Sequence, residues 1–272
     1  MEGPRHRGRT GPLMDGAEAV GSSPATEPPP VGGPGWAYFF DLDGTLVDIV
    51  DPPAVVRVDA GLRELLEALR QATGGAVALI TGRSLENLDV VFPGSSFPAA
   101  GQHGVERRGA DGHITQHDPP PGLDEARRVL ADLHDPRLEL EDKGLSLALH
   151  YRLAPQLGGY AGRLARLAAA QAGPQYVVLP GKRIVEIKPG GRDKGVAVRE
   201  FMEEPPFRGR RPLFLGDDIT DEHGFEMVNA LDGASIKVGA VEASRTAARW
   251  HLRDVRAVRA WLARAIAAAR SA

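Results

Sequence analysis

Cysteine is absent from the 272 residues of this chain. That excludes disulfides, thiolate zinc sites and cysteine nucleophiles; it is compatible with a reducing compartment, and the chain is expected to be cytoplasmic. No apolar run approaches the roughly 20 residues that span a bilayer. The early basic residues Arg5, Arg7 and Arg9 are not followed by the apolar stretch of a secretory signal. No membrane contact is therefore expected. A surplus of positive charge is also missing: 33 Lys and Arg stand against 36 Asp and Glu, a formal net charge of -3. This gives no footprint for nucleic acid, and a small anionic ligand would need a local basic site. Neither a Gly-x4-Gly-Lys-Ser/Thr loop nor a dinucleotide fingerprint is found, so nucleotide binding has no support. No internal repeat is visible, and the oligomeric state stays open, a monomer included.

What the chain does have is an apolar content of 42%, enough to bury a core. At roughly 150 residues per domain, its length suggests two domains. Residues 1–35 are rich in Gly, Pro, Ser and Ala and close on Pro28-Pro29-Pro30 and Gly32-Gly33-Pro34-Gly35. Such a stretch cannot offset its ordering entropy by burial and reads as a disordered tail. Residues 36–42 form an apolar run closed by Asp43-Gly44, the pattern of a buried strand entering a turn. Asp59 is placed to cap a helix in which Leu62, Leu65, Leu66 and Leu69 recur at helical spacing, and Gly74-Gly75 ends it. Residues 76–80 repeat the strand pattern, closed by Thr81-Gly82-Arg83, and a helix is expected from Ser84. This alternation points to a parallel sheet with helices on both faces. It resumes with a helix over 194–202, strands over 212–215 and 234–238, and an Arg-rich helix carrying Val255, Val258 and Leu262.

Between these segments the pattern changes. Leu123, Ala126, Leu130 and Leu133 suggest a helix. Leu138 and Leu140 alternate with Glu139 and Glu141, Lys143-Gly144 reads as a turn, and Leu145, Leu147, Leu149 and Tyr151 alternate on the return. That is an antiparallel hairpin with one apolar face. A helix over 156–170 follows, then a second hairpin, 176–179 with 183–188, turning at Pro180-Gly181. The expected fold class is α/β: a doubly wound, mostly parallel core in two segments, 36–104 and 189–272, with a smaller α+β cap inserted at 105–188. His113 and His117 are spaced for a metal on a helix, but Gly112 and Pro119-Pro120-Pro121 argue against a helix there.

In doubly wound folds, ligands sit beyond the carboxyl ends of the parallel strands. Three expected strands end in polar residues: Asp41-Leu42-Asp43-Gly44-Thr45, Thr81-Gly82-Arg83, and Gly216-Asp217-Asp218 followed by Thr220-Asp221-Glu222. Lys194 opens a helix on the same side. Carboxylates, a hydroxyl and two cations are the parts of a metal-assisted displacement at phosphorus, which needs a nucleophile, charge neutralisation and a proton for the leaving alkoxide. Asp41 can attack because a carboxylate is ionised at neutral pH. Magnesium prefers oxygen ligands, which Asp41 and Asp217 would supply. Asp43, two residues on, could protonate the departing oxygen and later activate water. Thr81 and Lys194 would hold the transferring oxygens. Lys194 competes with Lys188 for this role and is favoured because its Lys-Gly pair opens a helix. Arg83 is either an ion-pairing scaffold residue or a substrate ligand, and His103 is a candidate for lining the site.

Four motifs in order carry a resemblance. Asp41-Leu42-Asp43-Gly44-Thr45-Leu46, Ile80-Thr81-Gly82-Arg83, Arg192-Asp193-Lys194-Gly195 and Gly216-Asp217-Asp218-Ile219-Thr220-Asp221-Glu222 resemble the four motifs of the haloacid dehalogenase superfamily. The resemblance implies Asp41 as nucleophile, Asp43 as acid and base, and Mg2+ held by Asp41, the main-chain carbonyl of Asp43 and Asp217. Asp218 and Asp221 would be further ligands or partners of metal-bound water. The inserted cap resembles that of the sugar-phosphatase branch. Residues 100–106, 140–144, 149–152 and 181–189 are similar to those of trehalose-6-phosphate phosphatases. In that family cap carboxylates and a lysine bind sugar hydroxyls; motif matching assigns these to Glu141, Lys143 and Glu186. The pleat places these three opposite the apolar sides of their hairpins.

The implied activity is hydrolysis of trehalose 6-phosphate to trehalose and phosphate through an aspartyl-phosphate, the last step of trehalose biosynthesis. The partner is thus a small-molecule substrate. Another sugar phosphate, of disaccharide or glycosylglycerate type, is an alternative with the same mechanism. A non-catalytic sugar-phosphate sensor is an alternative of another class, which the presence of both Asp41 and Asp43 disfavours. A mutase could use the same intermediate, but the large cap with polar hairpin faces argues against it.

Overall fold

The computed structural model describes residues 29–49, 56, 58–94, 96–132, 135–240 and 246–271. Its centre is a strand that period-two sequence logic dictates. In β1 (Trp36–Phe40), Tyr38 and Phe40 point to one face of a sheet and Ala37 and Phe39 to the other, all fully buried. A strand apolar on both faces needs covering on both. Its neighbours repeat the pattern: Val77 and Leu79 of β2 (Val77–Ile80) share the face of Tyr38, while Ala78 and Ile80 take the other. The first face is covered by α1 (Ala60–Ala72), α2 (Leu85–Val91) and α7 (Val255–Arg270), through Leu62, Leu66, Leu88 and Trp261. The second is covered by α5 (Lys194–Met202) and α6 (Glu222–Ala230), through Val198, Phe201 and Phe225.

The remaining strands of this sheet are β3 (Ala99–Gly101), β4 (Glu106–Arg108), β5 (Ile114–Gln116), β10 (Arg211–Gly216), β11 (Ala234–Val238) and β12 (Trp250–Leu252). Their order is β12-β11-β10-β1-β2-β3-β4-β5, parallel from β12 to β3 and antiparallel beyond. Because β10, β1 and β2 are adjacent and parallel, their carboxyl ends emerge side by side.

A second sheet, order β6-β7-β9-β8, is wholly antiparallel: β6 (Glu139–Asp142), β7 (Leu147–His150), β8 (Tyr176–Gly181) and β9 (Ile184–Pro189). One face packs on α3 (Leu123–Asp132) and α4 (Gly158–Ala172) around Leu147, Leu149, Val185 and Ile187. Register puts Glu141, Ala148, Glu186 and Leu179 in one row across the four strands, with Leu140, Leu149 and Val185 in the next. Successive rows face opposite ways.

The structure corrects several expectations. The cap does not begin at 105: β4 and β5 pair onto β3 and belong to the large sheet. Three-residue strands such as these, and β12, are too short to display a period. The second hairpin turns at Lys182-Arg183, not at Pro180-Gly181, because Gly181 is still paired with Ile184 and Arg183 takes the left-handed φ of 58°. The expected tail lies outside the described residues up to 28, but 29–35 pack on the core: Pro30 O accepts from Trp261 Nε1 at 3.1 Å and Val31 O from the Tyr38 hydroxyl at 3.0 Å. Leu133, expected in a helix, lies outside the described residues. His113 and His117 flank β5, not a helix. Among the described residues no helix is long and apolar enough to cross a membrane.

Candidate active site

A cavity of about 730 Å³ lies between the carboxyl ends of β1, β2 and β10 and the charged face of the second sheet. Most candidate residues named from the sequence line it: Asp41, Asp43, Thr81, Arg83, His103, Glu141, Lys143, Glu186, Lys194, Asp217 and Asp218, whereas Asp221 and Lys188 do not.

Its floor is built by the strand ends. Asp41 follows β1, with its amide bonded to Leu215 O at 2.9 Å, and is buried. The chain then folds into a tight turn in which Leu46 N and Val47 N both donate to Leu42 O, at 2.9 and 3.1 Å. Gly44 occupies that turn at φ 86°, and a Cβ there would overlap the Asp217 carboxylate. Only glycine meets both demands. Lys194 arrives on the first turn of α5, which Asp193 caps by accepting from Val196 N at 2.8 Å. Lys194 Nζ donates to Asp41 Oδ1 at 2.8 Å and to Asp221 Oδ1 at 2.6 Å. Lys188 turns its ammonium to the carbonyl of Arg192 instead, so of the two lysines it is Lys194 that lines the cavity.

Asp41, Asp217 and Asp221 each bring a carboxylate oxygen within 4.8 Å of the others, and all three are buried. Burial pushes the Asp41 carboxyl well above its ordinary range; Lys194 pulls it down, while Asp221 and Asp217 push it further up. Burial and then Asp221 likewise raise Asp217. On Lys194 burial acts to lower the pKa, but Asp221 and Asp41 outweigh it and hold the ammonium above the usual lysine range. One oxygen of Asp217 is buried with no hydrogen-bond partner. An excess of buried carboxylate around an unpartnered oxygen is what a divalent cation would satisfy, so the residues fit such an ion.

Of the two acidic residues expected as further ligands, the cluster takes in Asp221 and leaves out Asp218. Asp221 belongs to it and is fully buried, with its second oxygen accepting from the amides of Asp217 and Asp218 at 2.8 and 2.9 Å. Asp218 stands outside the cluster; its side chain caps the short 3₁₀ turn Ile219–Asp221. The contact expected of Asp43 is through its main-chain carbonyl; its side chain is gripped by the Arg83 guanidinium at 2.6 and 2.7 Å. Arg83 reaches Asn87 Oδ1 at 2.6 Å as well, so it is ion-paired to Asp43 while it lines the cavity. Thr81 is buried, and its Oγ1 accepts from Arg83 N at 3.1 Å.

The roof comes from the second sheet. Lys143 Nζ pairs with Glu186 and donates to Gly82 O at 2.9 Å. His103 Nε2 lies 2.7 Å from the other Glu186 oxygen, and its Nδ1 is buried and unpartnered. Burial disfavours the ionised Glu186, but Lys143 and His103 prevail and hold its pKa well below the usual carboxylate range. Burial keeps the His103 pKa low against the pull of Glu186. Glu141, on the exposed edge strand β6, meets His150 Nε2 at 2.9 Å, and that bond lowers its pKa.

Sequence reasoning missed Lys182 and His150. Lys182 stands in the β8–β9 turn and pairs with Asp217 across the cavity. Its only signal was its position one residue after Gly181 in a stretch already quoted for its resemblance. His150 pairs in register with Glu139, two residues along from the partner of Glu141, a diagonal that becomes visible only once the register is known.

Residues 39–256 match the family model described as trehalose-phosphatase. The chain belongs to that family. It is 44% identical over 246 residues to the trehalose-6-phosphate phosphatase of Escherichia coli (strain K12), covering 89% of this chain and 90% of that one. It is 42% identical over 206 residues to a probable trehalose-phosphate phosphatase of Sinorhizobium fredii, covering 75% and 78%. Among solved structures, the C-terminal domain of C. albicans trehalose-6-phosphate phosphatase superposes with a TM-score of 0.76 over 85% of this chain and 92% of that domain. At 22% identity that likeness speaks to the fold, a haloacid dehalogenase-like core with a cap. In this trehalose-phosphatase, residues at the ends of β1, β2 and β10 and at the start of α5 line the cavity together: Asp41, Thr81, Asp217 and Lys194.

Proposed function

We propose that this protein hydrolyses trehalose 6-phosphate to trehalose and inorganic phosphate, with Asp41 as nucleophile and Mg2+ as cofactor. The reading rests on one juxtaposition: Lys194 Nζ lies 2.8 Å from Asp41 on the floor of a cavity roofed by Glu141, Lys143 and Glu186. The floor suits a phosphoryl group and the roof suits sugar hydroxyls, because charged hydrogen-bond partners discriminate strongly among polar ligands.

Asp41, Asp217 and Asp221 would hold the Mg2+, which supplies charge neutralisation at the phosphoryl oxygens. Asp41 attacks phosphorus in line, and the bond between phosphorus and the sugar oxygen breaks. Asp43 delivers its proton to that oxygen, releasing trehalose and leaving an aspartyl-phosphate. The ionised Asp43 then takes a proton from water as the water attacks phosphorus, which frees Asp41 and inorganic phosphate. Lys194 and Thr81 steady the transferring oxygens throughout. Arg83 donates to both Asp43 oxygens, and each oxygen keeps a second lone pair on which Asp43 can carry the proton. The second sheet covers the reaction and excludes bulk water.

The deciding measurement is phosphate release from a panel of sugar phosphates, with and without Mg2+. Trehalose 6-phosphate should be preferred and chelation should stop the reaction. Equal rates across the panel would reject the substrate. Asp41→Asn should lower turnover by roughly 10³-fold or more while leaving the fold intact; full activity in that variant would reject the mechanism.

A further inference from the structure

Gln102 and His103 follow β3 as consecutive left-handed residues, φ 47° and 57°. Neither is glycine, and such backbone persists where its surroundings demand it. The effect is to send two adjacent side chains out of the large sheet and into the second one. His103 reaches Glu186. Gln102 reaches the turn between β6 and β7: its Nε2 donates to Lys143 O at 3.0 Å, and its Oε1 accepts from Ser146 Oγ at 2.7 Å. The same Nε2 is anchored from behind by Glu106 Oε1 at 3.1 Å, which also accepts from Leu85 N. Gln102 and Ser146 are each 2% exposed. Lys143 N closes the turn onto Ser146 O at 3.0 Å, so the one amide of Gln102 grips both ends of it.

We infer that Gln102 is a positioning residue that registers the sugar-binding groups of the cap on the phosphate site. This deepens the trehalose 6-phosphate reading and rests on it. Neither Gln102 nor Ser146 lines the cavity, so neither touches substrate. They act through Lys143, which leaves the gripped turn to meet Glu186 and the carbonyl of Gly82. A buried amide that loses either partner is left with an unsatisfied donor or acceptor. The turn is therefore either docked, with Lys143 and Glu186 aimed, or wholly released; a half-docked turn is the costliest arrangement.

The test compares wild type, Gln102→Met, Ser146→Ala and the double variant on trehalose 6-phosphate and on p-nitrophenyl phosphate, which has no sugar. KM for trehalose 6-phosphate should rise roughly tenfold in Ser146→Ala, the scale of one broken buried hydrogen bond, and at least as much in Gln102→Met, which breaks three. In both, kcat for this substrate should change less than about threefold, as expected when binding rather than chemistry is lost. kcat/KM for p-nitrophenyl phosphate should stay within about twofold, and the double variant should be no worse than the more severe single one, since both remove the contact between the two residues. Ser146→Thr, which keeps the hydroxyl, should restore KM. An unchanged KM, or equal losses on both substrates, overturns the inference. If Gln102→Met does not fold, Ser146→Ala decides alone, because it removes a single oxygen. A wild type that hydrolyses p-nitrophenyl phosphate but not trehalose 6-phosphate rejects the substrate reading instead.

Discussion

Two single side chains that meet across the cavity make opposite electrostatic demands. Asp217 offers an unpartnered oxygen to a cation, and Lys182 already sets an ammonium against its other oxygen. An ammonium and a divalent ion at one carboxylate compete. Lys182→Met should therefore tighten Mg2+ binding to the substrate-free protein, by roughly threefold to tenfold if the pair is worth about 1 kcal/mol. Titration calorimetry reads this directly, and weaker binding in the variant would contradict the competition. Gly44 is the backbone counterpart. Its φ of 86° and the overlap a Cβ would make with Asp217 should make Gly44→Ala cost roughly 1–3 kcal/mol of stability. Mg2+ affinity should fall with it; a urea titration showing no loss would refute the argument.

At the level of elements, three of the helices that cover the large sheet begin at an aspartate whose side chain accepts from the third amide onward: Asp59 for α1, Asp193 for α5 and Asp254 for α7. Asp59 also joins two elements, because Arg259 of α7 donates to it. The hydrogen bonds from Arg259 and then from Leu62 N lower its pKa to about 2. A depressed carboxylate stabilises the fold above its ordinary pKa and loses that contribution as pH falls through the native value. Asp59→Ala, which removes cap and ion pair, should cost about 1 kcal/mol at neutral pH. Asp59→Asn keeps the cap and should cost less. Urea midpoints taken from pH 7 down to pH 2 should converge between Asp59→Asn and wild type as the pair is protonated, near the native value of about 2. A constant gap would show that the pair contributes nothing. Asp193 carries a further consequence, since its cap fixes the turn that delivers Lys194. Asp193→Ala should slow phosphate release more than Asp254→Ala at equal loss of stability.

On the scale of the whole molecule, the large sheet is packed on both faces, whereas β6 is an exposed edge strand of the smaller one. Amide hydrogen exchange should be slowest in β1 and β10 and much faster in β6; slow exchange in β6 would argue that the two sheets open together. Much of this architecture was legible in the chain. The double-sided apolar runs of β1, β2, β10 and β11 predicted a parallel sheet, and Asp41, Asp217 and Lys194 could be placed at its carboxyl rim because strand ends are local signals. Glu141 and Glu186 could be put on a polar face because the pleat has a period of two. Other features had no local signal. Asp218 and Asp221 sit three apart and share a capping box, so chain order alone could not show that Asp221 turns inward to Lys194 while Asp218 does not. Gln102, Lys182 and His150 act on partners distant in sequence or across a sheet register. The sequence by itself determined periodicities, caps and the chemistry available, because those depend on neighbours along the chain. Only the tertiary structure decided which charges share a buried volume, because desolvation and Coulomb energy depend on distances in space that no spacing in sequence encodes.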